Sequence, residues 1–536
     1  MPHFLCSLSG KGSSCNFRTQ QEDYRIRIKK NIYKIIDTAH KKLRSTVKSI
    51  GMGNYIATLL NASPLLHTMN SVGNRIAFTN CHIFDGIHSE LKEDMTLLVE
   101  GDKISNVGHR AQLTVPDNFY IIDTAGQTIM PGLIDNHVHL CSPFTYEATI
   151  SAIRQMPMQV LLNNMRTVYS GVTTVCDMGG PQGIIKEFTE LANKNHIPGP
   201  RYLNCYTLIS PSNGKKLGYP SQVNVLNPFN AWLLEGQVAT RPKTIKALKK
   251  ACYKVRDSGG THLKTTYQPQ PFSEKKYATQ DDFPIFNDEW MRTILEIGKE
   301  TGLVVDIHSP YGMAAERCVD LAMAVGAKIR IQHMTFDIDF KDSIIKKMQD
   351  NGFYMIPTAT VFGDAFQMPK FVQWLDDDTK SHMMPEAKRQ TKAMIQKGIN
   401  IEPYSGQMVM ECDNAYLRKH FNLVKRNTQK AHEARIIGIG TDCGGTNTGF
   451  FGRICSEVMH YFEFGIPLFE ILKYLTSVNA EINGLNDRGV IQPGKLADLI
   501  ALDGNPLLDP SALTEVSMVM KGGVFLKYRG EELTPF

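Results

Sequence analysis

Apolar and polar positions in the middle of the chain predict strands that alternate with helices. Short apolar segments have the length of buried strands, and amphipathic segments such as NDEWMRTILEIGKE and KDSIIKKMQDNG separate most of them. The eight predicted strands are IMPGLIDNHVHL, GVTTVCDM, RYLNCYTLI, THLKTTY, LVVDIHS, KIRIQHM, YMIPTATV and RIIGIGTD. We therefore predict an α/β fold with a (β/α)8 barrel, the TIM-barrel architecture, over about residues 131–483. A doubly wound sheet is the alternative, but no GxGxxG loop follows the first strand.

Strand-rich segments flank this middle part on both sides. TLLVEGDKISNVG has the pattern of a hairpin that turns at Gly101-Asp102, and MVMKGGVFLKY has the pattern of one that turns at Gly522-Gly523. The barrel is therefore expected to carry additional β structure contributed by both flanks.

The first 70 residues have a different pattern and predict a basic helical extension. Within residues 22–50, Lys and Arg are frequent, and apolar residues recur every three or four positions, on one face of a helix. These apolar residues are Ile28, Ile32, Ile35, Ala39, Leu43, Val47 and Ile50. Such a helix either lies on an anionic membrane surface or docks on its own protein or a second subunit. We favour docking, and we predict a homo-oligomer.

Composition and charge indicate an ordinary soluble protein. Of 536 residues, 42% are hydrophobic and 21% are charged, and the net charge of +6 is too mild to indicate nucleic-acid binding. The eleven cysteines are an odd number and include no CxxC pair, which argues against a disulfide framework and favours a cytoplasmic location. No apolar run reaches the roughly 18 residues of a membrane span, and the first residues lack a signal-peptide pattern.

Candidate metal ligands stand at the ends of separate predicted strands. His137 and His139 are two positions apart, so their side chains point to the same side of a strand. His308, His333 and Asp442 end the fifth, sixth and eighth strands, and all strand ends of a barrel meet at one mouth. Each residue alone would more simply be a hydrogen-bonded core histidine or a capping aspartate. Together they predict a metal centre.

Lys264 ends the fourth predicted strand and would point into the same mouth. An ammonium group beside divalent cations is unfavourable, so the site would favour the neutral amine. A neutral amine can add carbon dioxide to give a carbamate anion that can bridge two metal ions. The alternative is a surface or salt-bridged lysine.

These motifs resemble the amidohydrolase superfamily over about residues 75–530. The matching motifs are PGLIDNHVHL, GGTHLK, DIHS, IQHMTF and GIGTD, and the tail LTSVNAEINGLNDRGVIQPGKLADLIALDGNPL is similar to the superfamily's exit from the barrel. The resemblance implies that 71–130 and 484–536 form a small composite β-sandwich. Lys264 indicates the branch with a carboxylated lysine and two metals, and IQHMTF with MIPTATV is similar to prolidase-like dipeptidases and their aromatic-amide-cleaving relatives. SPSNGKKLG departs from the glycine- and histidine-rich motif of that group, with Lys215 roughly where its histidine would be.

The resemblance also implies a reaction. With two zinc ions, one would be held by His137, His139 and Asp442 and the other by His308 and His333, with carboxylated Lys264 between them. A metal-bound hydroxide would attack the substrate, and Asp442 would carry its proton to the leaving amine. We predict hydrolysis of a carbon–nitrogen bond in a small amide or peptide-like molecule.

Three other interpretations stay open. A mononuclear ring deaminase does not need the fourth-strand lysine, so Lys264 counts against deamination. If the two-metal arrangement fails, a one-metal site of His137, His139, His308 and Asp442 is the alternative. A cyclic amide or lactone hydrolase is compatible with Lys264. A metal-free scaffold is the least favoured, because every ligand position is filled.

Overall fold

The computed structural model describes most of the chain between residues 75 and 533. The described ranges are 75–142, 144–145, 149–180, 182–212, 239–269, 284–364, 368–377, 381, 383–397, 401–402, 407–408, 414–445 and 449–533. The predicted extension 1–70, with its helix in 22–50, and Lys215 lie outside these residues. None of the described helices is both long and apolar enough to cross a membrane.

The described part of the chain contains strands at both ends and alternates strands with helices between them. The strands are β1 (Arg75–Ile83), β2 (Lys92–Glu100), β3 (Lys103–His109), β4 (Tyr120–Asp123), β5 (Thr128–Pro131), β6 (Leu133–Val138), β7 (Val172–Asp177), β8 (Arg201–Asn204), β9 (Leu208–Ile209), β10 (Ala239–Thr240), β11 (His262–Thr266), β12 (Val304–His308), β13 (Ile329–Gln332), β14 (Tyr354–Ile356), β15 (Ile401–Glu402), β16 (Gln407–Met408), β17 (Leu499–Leu502), β18 (Val516–Lys521), β19 (Val524–Tyr528) and β20 (Glu531–Glu532).

Helices follow most of the central strands. They are α1 (Ile150–Tyr169), α2 (Gln182–Asn193), α3 (Ile245–Asp257), α4 (Asp288–Thr301), α5 (Gly312–Val325), α6 (Asp342–Asn351), α7 (Ala359–Gly363), α8 (Met368–Asp376), α9 (Pro385–Gln396), α10 (Asn414–Glu433), α11 (Ile454–Glu463), α12 (Leu468–Lys473) and α13 (Asn479–Ile482), with a π-helix at Tyr474–Val478 and a 3-10 helix at Pro510–Thr514. The segment NDEWMRTILEIGKE forms most of α4, and the Asn287 side chain caps it by accepting a hydrogen bond from the Trp290 N–H.

The two flanks meet in one nine-stranded sheet with the order β20-β19-β18-β17-β5-β1-β2-β3, and β4 pairs with β1. Strand β5 from the first flank pairs antiparallel with β17 from the second. Both predicted hairpins are present, with Gly101 between β2 and β3 and Gly522 and Gly523 between β18 and β19. Their φ values of 63°, 58° and 75° lie in the left-handed region, which favours glycine.

Buried aromatic side chains connect the two halves of this sheet. Phe78 on β1 is fully buried, and its ring lies edge-on to Phe525 on β19 with 6.2 Å between ring centroids. We expect Phe78→Ala to lower the free energy of unfolding by about 3–5 kcal/mol, because it leaves a cavity in a packed core. Urea unfolding followed by circular dichroism would measure this loss.

Phe462 provides the matched control, since its side chain is 44% exposed. Phe462→Ala should change the free energy of unfolding by no more than about 0.5 kcal/mol. An equally small loss for Phe78→Ala would mean that the sheet core does not stabilise the chain.

The central strands are parallel and belong to two sheets. One contains β6, β7 and β8, and the other has the order β10-β9-β11-β12-β13-β14. The chain is therefore an α/β protein with parallel sheets, as the sequence predicts. Because parallel strands start at the same side, the ends of β11, β12, β13 and β14 lie along one edge.

The structure corrects four of the predicted strands. IMPGLIDNHVHL is divided at Gly132 into β5, which belongs to the nine-stranded sheet, and β6, which belongs to a parallel sheet. RYLNCYTLI is divided into β8 and β9 around Tyr206, whose φ is 59°. YMIPTATV continues as a strand only to Ile356, because Pro357 has no N–H to donate and Thr358 has a φ of 48°. RIIGIGTD is not a continuous strand. It makes isolated parallel bridges to β14 and to the end of β6.

Side chains that contact residues 436–443 explain why RIIGIGTD does not form a continuous strand. The Ile439 N–H donates to the Asn479 side chain, and the Thr441 N–H donates to Asp135 at 3.0 Å. These donors are therefore not available to a neighbouring strand, and the ladder is interrupted. Other backbone groups of this segment still bond to both neighbours: Gly438 donates to Met355 of β14, and Asp442 donates to His137 of β6.

Candidate metal centre

The predicted ligands lie at or just beyond strand ends. His137 is the second-last residue of β6, and His139 is the first residue after that strand. His308 is the last residue of β12, and His333 directly follows β13. Lys264 lies in the middle of β11, and Asp442 lies in the bridged segment 436–443. Five of the six residues are buried, and the His139 side chain is 19% exposed.

The structure brings the four histidines and Asp442 together. The Nε2 atoms of His137 and His139 lie 3.2 and 3.3 Å from the same carboxylate oxygen, Oδ1 of Asp442. The His333 ring centroid is 4.9 Å from that of His137 and 4.4 Å from that of His308. A single small volume is therefore lined by five side chains from four separate segments of the chain.

The local backbone at this centre is unusual. Asp442 and His333 have φ values of 56° and 73°, in the left-handed region that residues other than glycine rarely adopt. Two nearby glycines allow close approach: a Cβ at Gly440 would lie 2.8 Å from the Cβ of His137, and one at Gly445 would collide with the Asp442 carboxylate. Strained φ values of this kind cost about 1–3 kcal/mol each and persist where the surrounding structure enforces them.

In each of the four histidines, one ring nitrogen is hydrogen-bonded to a group outside the centre, and this hydrogen bond fixes the orientation of the ring. The four pairs are His137 Nδ1 with Gln332 Oε1 at 2.7 Å, His139 Nδ1 with the Gly179 carbonyl at 2.7 Å, His333 Nδ1 with Thr358 Oγ1 at 2.7 Å, and His308 Nε2 with Gln268 Oε1 at 2.5 Å. These four partners were not predicted from the sequence. For Gln268 a signal was available, because it lies two and four positions after Thr266 and Lys264 in one extended segment.

The hydrogen bonds leave electron-rich atoms facing one another. A carbonyl oxygen only accepts, so His139 donates through Nδ1, and in the neutral ring its Nε2 carries a lone pair. The same holds for His137 if Gln332 presents its oxygen. These lone pairs face Oδ1 of Asp442, which has no hydrogen-bond donor among the described residues. A divalent cation would stabilise this arrangement, so the residues present fit a metal ion.

The protonation states also suit a metal. Burial lowers the pKa of His308 and of His333 well below the usual value, with further lowering from neighbouring positive charges, so both are neutral. Burial opposes ionisation of Asp442, but the electrostatic effect of the imidazoles around it, above all His137, holds its pKa well below the usual value. Neutral imidazoles and an ionised carboxylate are the forms that bind metals.

Lys264 is the least satisfied group of the centre. Its side chain is 3% exposed, and its Nζ has no hydrogen-bond partner among the described residues. Burial lowers its pKa to about 8, against the opposing effect of the Asp306 and Asp442 carboxylates. A buried amine without partners is costly, and the lowered pKa increases the fraction of the neutral amine, which is the form that can react with carbon dioxide.

A second cluster of potential ligands is already neutralised. Cys176, His262 and Asp306 place ligand atoms within 4.8 Å of one another, and all are buried. However, the Arg330 guanidinium donates to both oxygens of Asp306, at 2.7 and 2.5 Å, and lies 3.5 Å from the Cys176 sulfur. The Arg330 guanidinium therefore supplies the positive charge that neutralises this cluster, in the place that a metal ion would otherwise take.

Comparison with known proteins identifies relatives of several activities. Residues 128–526 match the amidohydrolase family model. A 5-methylthioadenosine/S-adenosylhomocysteine deaminase from Caldanaerobacter subterraneus is 21% identical over 459 residues, which cover 80% of this chain and 85% of that protein. A dihydroorotase from Mycobacterium leprae is 43% identical over 51 residues, and the match spans only 10% of this chain and 11% of the relative.

A solved structure supports the fold. The crystal structure of a Xaa-Pro dipeptidase with bound methionine aligns with a TM-score of 0.62 at 22% identity, covering 84% of this chain and all of that chain. At this identity the likeness shows the fold alone, a TIM-barrel type fold. The family match covers well over half of the sequence and confirms the resemblance read from the motifs: the chain belongs to the amidohydrolase family.

Proposed function

We propose that this chain is a metal-dependent hydrolase that cleaves a carbon–nitrogen bond in a small amide or peptide-like molecule. The observation that carries the proposal is the convergence of two imidazole nitrogens on one oxygen of Asp442, close to two further buried histidines. Membership of the amidohydrolase family supports a hydrolase acting on carbon–nitrogen bonds.

The donor set divides naturally into two metal positions. His137, His139 and Asp442 would hold one divalent ion, zinc in our proposal, and His308 and His333 would hold the other. Lys264, as a carbamate formed with carbon dioxide, would supply the anion between them. When bound, such ions lower the pKa of coordinated water and polarise a substrate carbonyl.

Asp442 is the residue best placed to move a proton. Its carboxylate is ionised, and one of its oxygens lies 3.2 Å from His137 Nε2 and 3.3 Å from His139 Nε2, so it can accept a proton when water is added to the substrate. Because its pKa is low, the protonated carboxyl is a strong acid and would readily donate that proton to the departing nitrogen. One side chain would thus serve as base and then as acid.

Exposure indicates the side from which a substrate approaches. His139 is 19% exposed, whereas the side chains of His137, His308 and His333 are almost completely buried. A substrate would therefore reach the centre past His139. The buried side would exclude water and keep the other histidines neutral.

We also propose that the parallel strands close into a (β/α)8 barrel over 131–483, and that 71–130 and 484–536 form a composite β-sandwich. The hydrogen bonds of residues 436–443 to both β14 and β6 support the first part. The pairing of β5 with β17 supports the second.

A cyclic amide hydrolase is the second candidate. The short but 43% identical match to a dihydroorotase favours it, and a carboxylated Lys264 is compatible with it. The alignment with a deaminase is longer, but a mononuclear deaminase would leave without a role the buried amine of Lys264, which has no hydrogen-bond partner in the described part of the chain.

A hydrolysis screen with zinc-loaded protein would test the proposal. Its panel would contain dipeptides, N-acyl amino acids, cyclic amides, lactones and aminopurines. We expect turnover of at least one linear amide class, lost on removal of the metal with a chelator and recovered on adding zinc. Turnover of aminopurines alone, or equal turnover by metal-free protein, would contradict the proposal.

A further inference from the structure

A chain of buried hydrogen bonds leads from Arg330 to the proposed metal ligand His137. The Arg330 guanidinium donates to both oxygens of Asp306, at 2.7 and 2.5 Å. The amide nitrogen of Gln332 donates to Asp306 Oδ1 at 2.5 Å, and the amide oxygen lies 2.7 Å from His137 Nδ1. All four side chains are at most 2% exposed.

Strand register places these residues side by side. Arg330 and Gln332 are two positions apart on β13, so their side chains lie on one face. Asp306 is paired with Arg330 across the parallel β12 and β13, and His308 is paired with Gln332. Strands β12 and β13 therefore carry Asp306, Arg330 and Gln332 together with the predicted ligand His308, and the predicted ligand His333 directly follows β13.

The ion pair at the Arg330 end of this series of hydrogen bonds determines which group donates and which accepts at each step. The Arg330 guanidinium is a permanent cation that donates to both oxygens of Asp306, so this carboxylate is an ionised partner of a buried ion pair. An ionised carboxylate only accepts hydrogen bonds, so Gln332 must turn its NH₂ group to Asp306 and its oxygen to His137. His137 must then donate through Nδ1, which leaves the lone pair on Nε2 facing Asp442.

We propose that Gln332, oriented by Asp306 and Arg330, is a positioning residue that holds His137 in the tautomer a metal requires. The inference rests on the proposed metal-dependent function. Gln332, which contacts His137, is itself hydrogen-bonded to the buried ion pair of Asp306 and Arg330. By comparison, His139 is hydrogen-bonded to the Gly179 carbonyl and His333 to the Thr358 hydroxyl. Acceptors of this kind behind a metal-binding histidine contribute about 10–100-fold in metal affinity.

The test is zinc affinity of the full chain with Gln332→Met, measured by competition with a chromophoric chelator. Methionine has a similar volume but no amide, so it leaves His137 Nδ1 without its acceptor. We expect zinc to bind about 10–100-fold more weakly, with little change in the melting temperature of the metal-free protein. Gln332→Asn is the second variant: it keeps an amide for Asp306 but is one methylene too short to reach both partners, and it should weaken zinc binding similarly.

Gln390→Met is the matched control. Gln390 is also fully buried and also donates its amide to a carboxylate, Glu386 Oε1 at 2.8 Å, but on α9. It should leave zinc affinity unchanged. If both Gln332 variants bind zinc as tightly as the wild type, the inference is wrong.

A double-mutant cycle shows whether Gln332 acts through His137. In a His137→Ala background, adding Gln332→Met should cause no further loss of zinc affinity. The same fold loss in both backgrounds would overturn the positioning role and leave the proposed function intact. A wild-type chain without zinc affinity would overturn the proposed function and this inference with it.

Discussion

Asp442→Asn should reduce turnover of the zinc-loaded enzyme by about 10²–10⁴-fold, the usual contribution of a general acid–base group. Asparagine has nearly the same shape as aspartate, but its amide is neutral and does not accept the proton that Asp442 carries. It also removes a negative charge from the point where His137 and His139 converge, so zinc should bind more weakly at that position. Turnover at saturating zinc, together with the zinc content of the purified variant, would separate the two effects.

Asp85→Asn is the matched control for this prediction. Asp85 is also buried, at 3% exposure, but it serves the Lys92 side chain and the backbone of the loop after β1. This variant should keep normal zinc content and turnover per folded molecule. If Asp442→Asn retained turnover within tenfold of the wild type with full zinc content, Asp442 would have no role in proton transfer.

Lys264→Ala should lose zinc and turnover together while the chain stays folded. The proposed carbamate supplies the anion between the two metal positions, and alanine supplies none. Lys264→Arg should not restore either property, because a guanidinium stays charged and does not form the carbamate. A short carboxylic acid such as acetate should partly restore both in the alanine variant. Zinc content and turnover of each variant would be measured, and circular dichroism would confirm that the variant is folded.

Lys521 offers a contrasting buried lysine. Its Nζ donates to the carbonyls of Ala192 and Gly199, whereas Lys264 has no such acceptors among the described residues. Lys521→Met should therefore lower thermal stability and leave zinc content unchanged. A folded Lys264→Ala variant with two zinc ions and full turnover would remove Lys264 from the mechanism and favour the deaminase alternative.

Strand alternation explains why the candidate ligands could be predicted from sequence. Residues two apart on a strand share a side, and parallel strands end along one edge, so local pattern alone brings His137, His139, His308 and His333 together. In the structure these four side chains lie close to one another. The glycines of GIGTD also signal a backbone that passes close to its neighbours, as Gly440 does beside His137.

The supporting contacts could not be predicted, because they depend on tertiary register between distant segments. Gln332 and His137 are 195 positions apart, and no local pattern relates them. The failure of RIIGIGTD to form a continuous strand has the same origin. Its apolar pattern is that of a buried strand, but Asn479 and Asp135 accept the hydrogen bonds that a strand would make.

Anomalous diffraction at the zinc edge, from crystals of zinc-loaded protein, would test the two-metal centre most directly. We predict two peaks, one contacted by His137, His139 and Asp442 and the other by His308 and His333, with Lys264 extended by a carbamate that contacts both. A map without zinc among these side chains, or with one ion facing an unmodified Lys264 amine, would contradict the account.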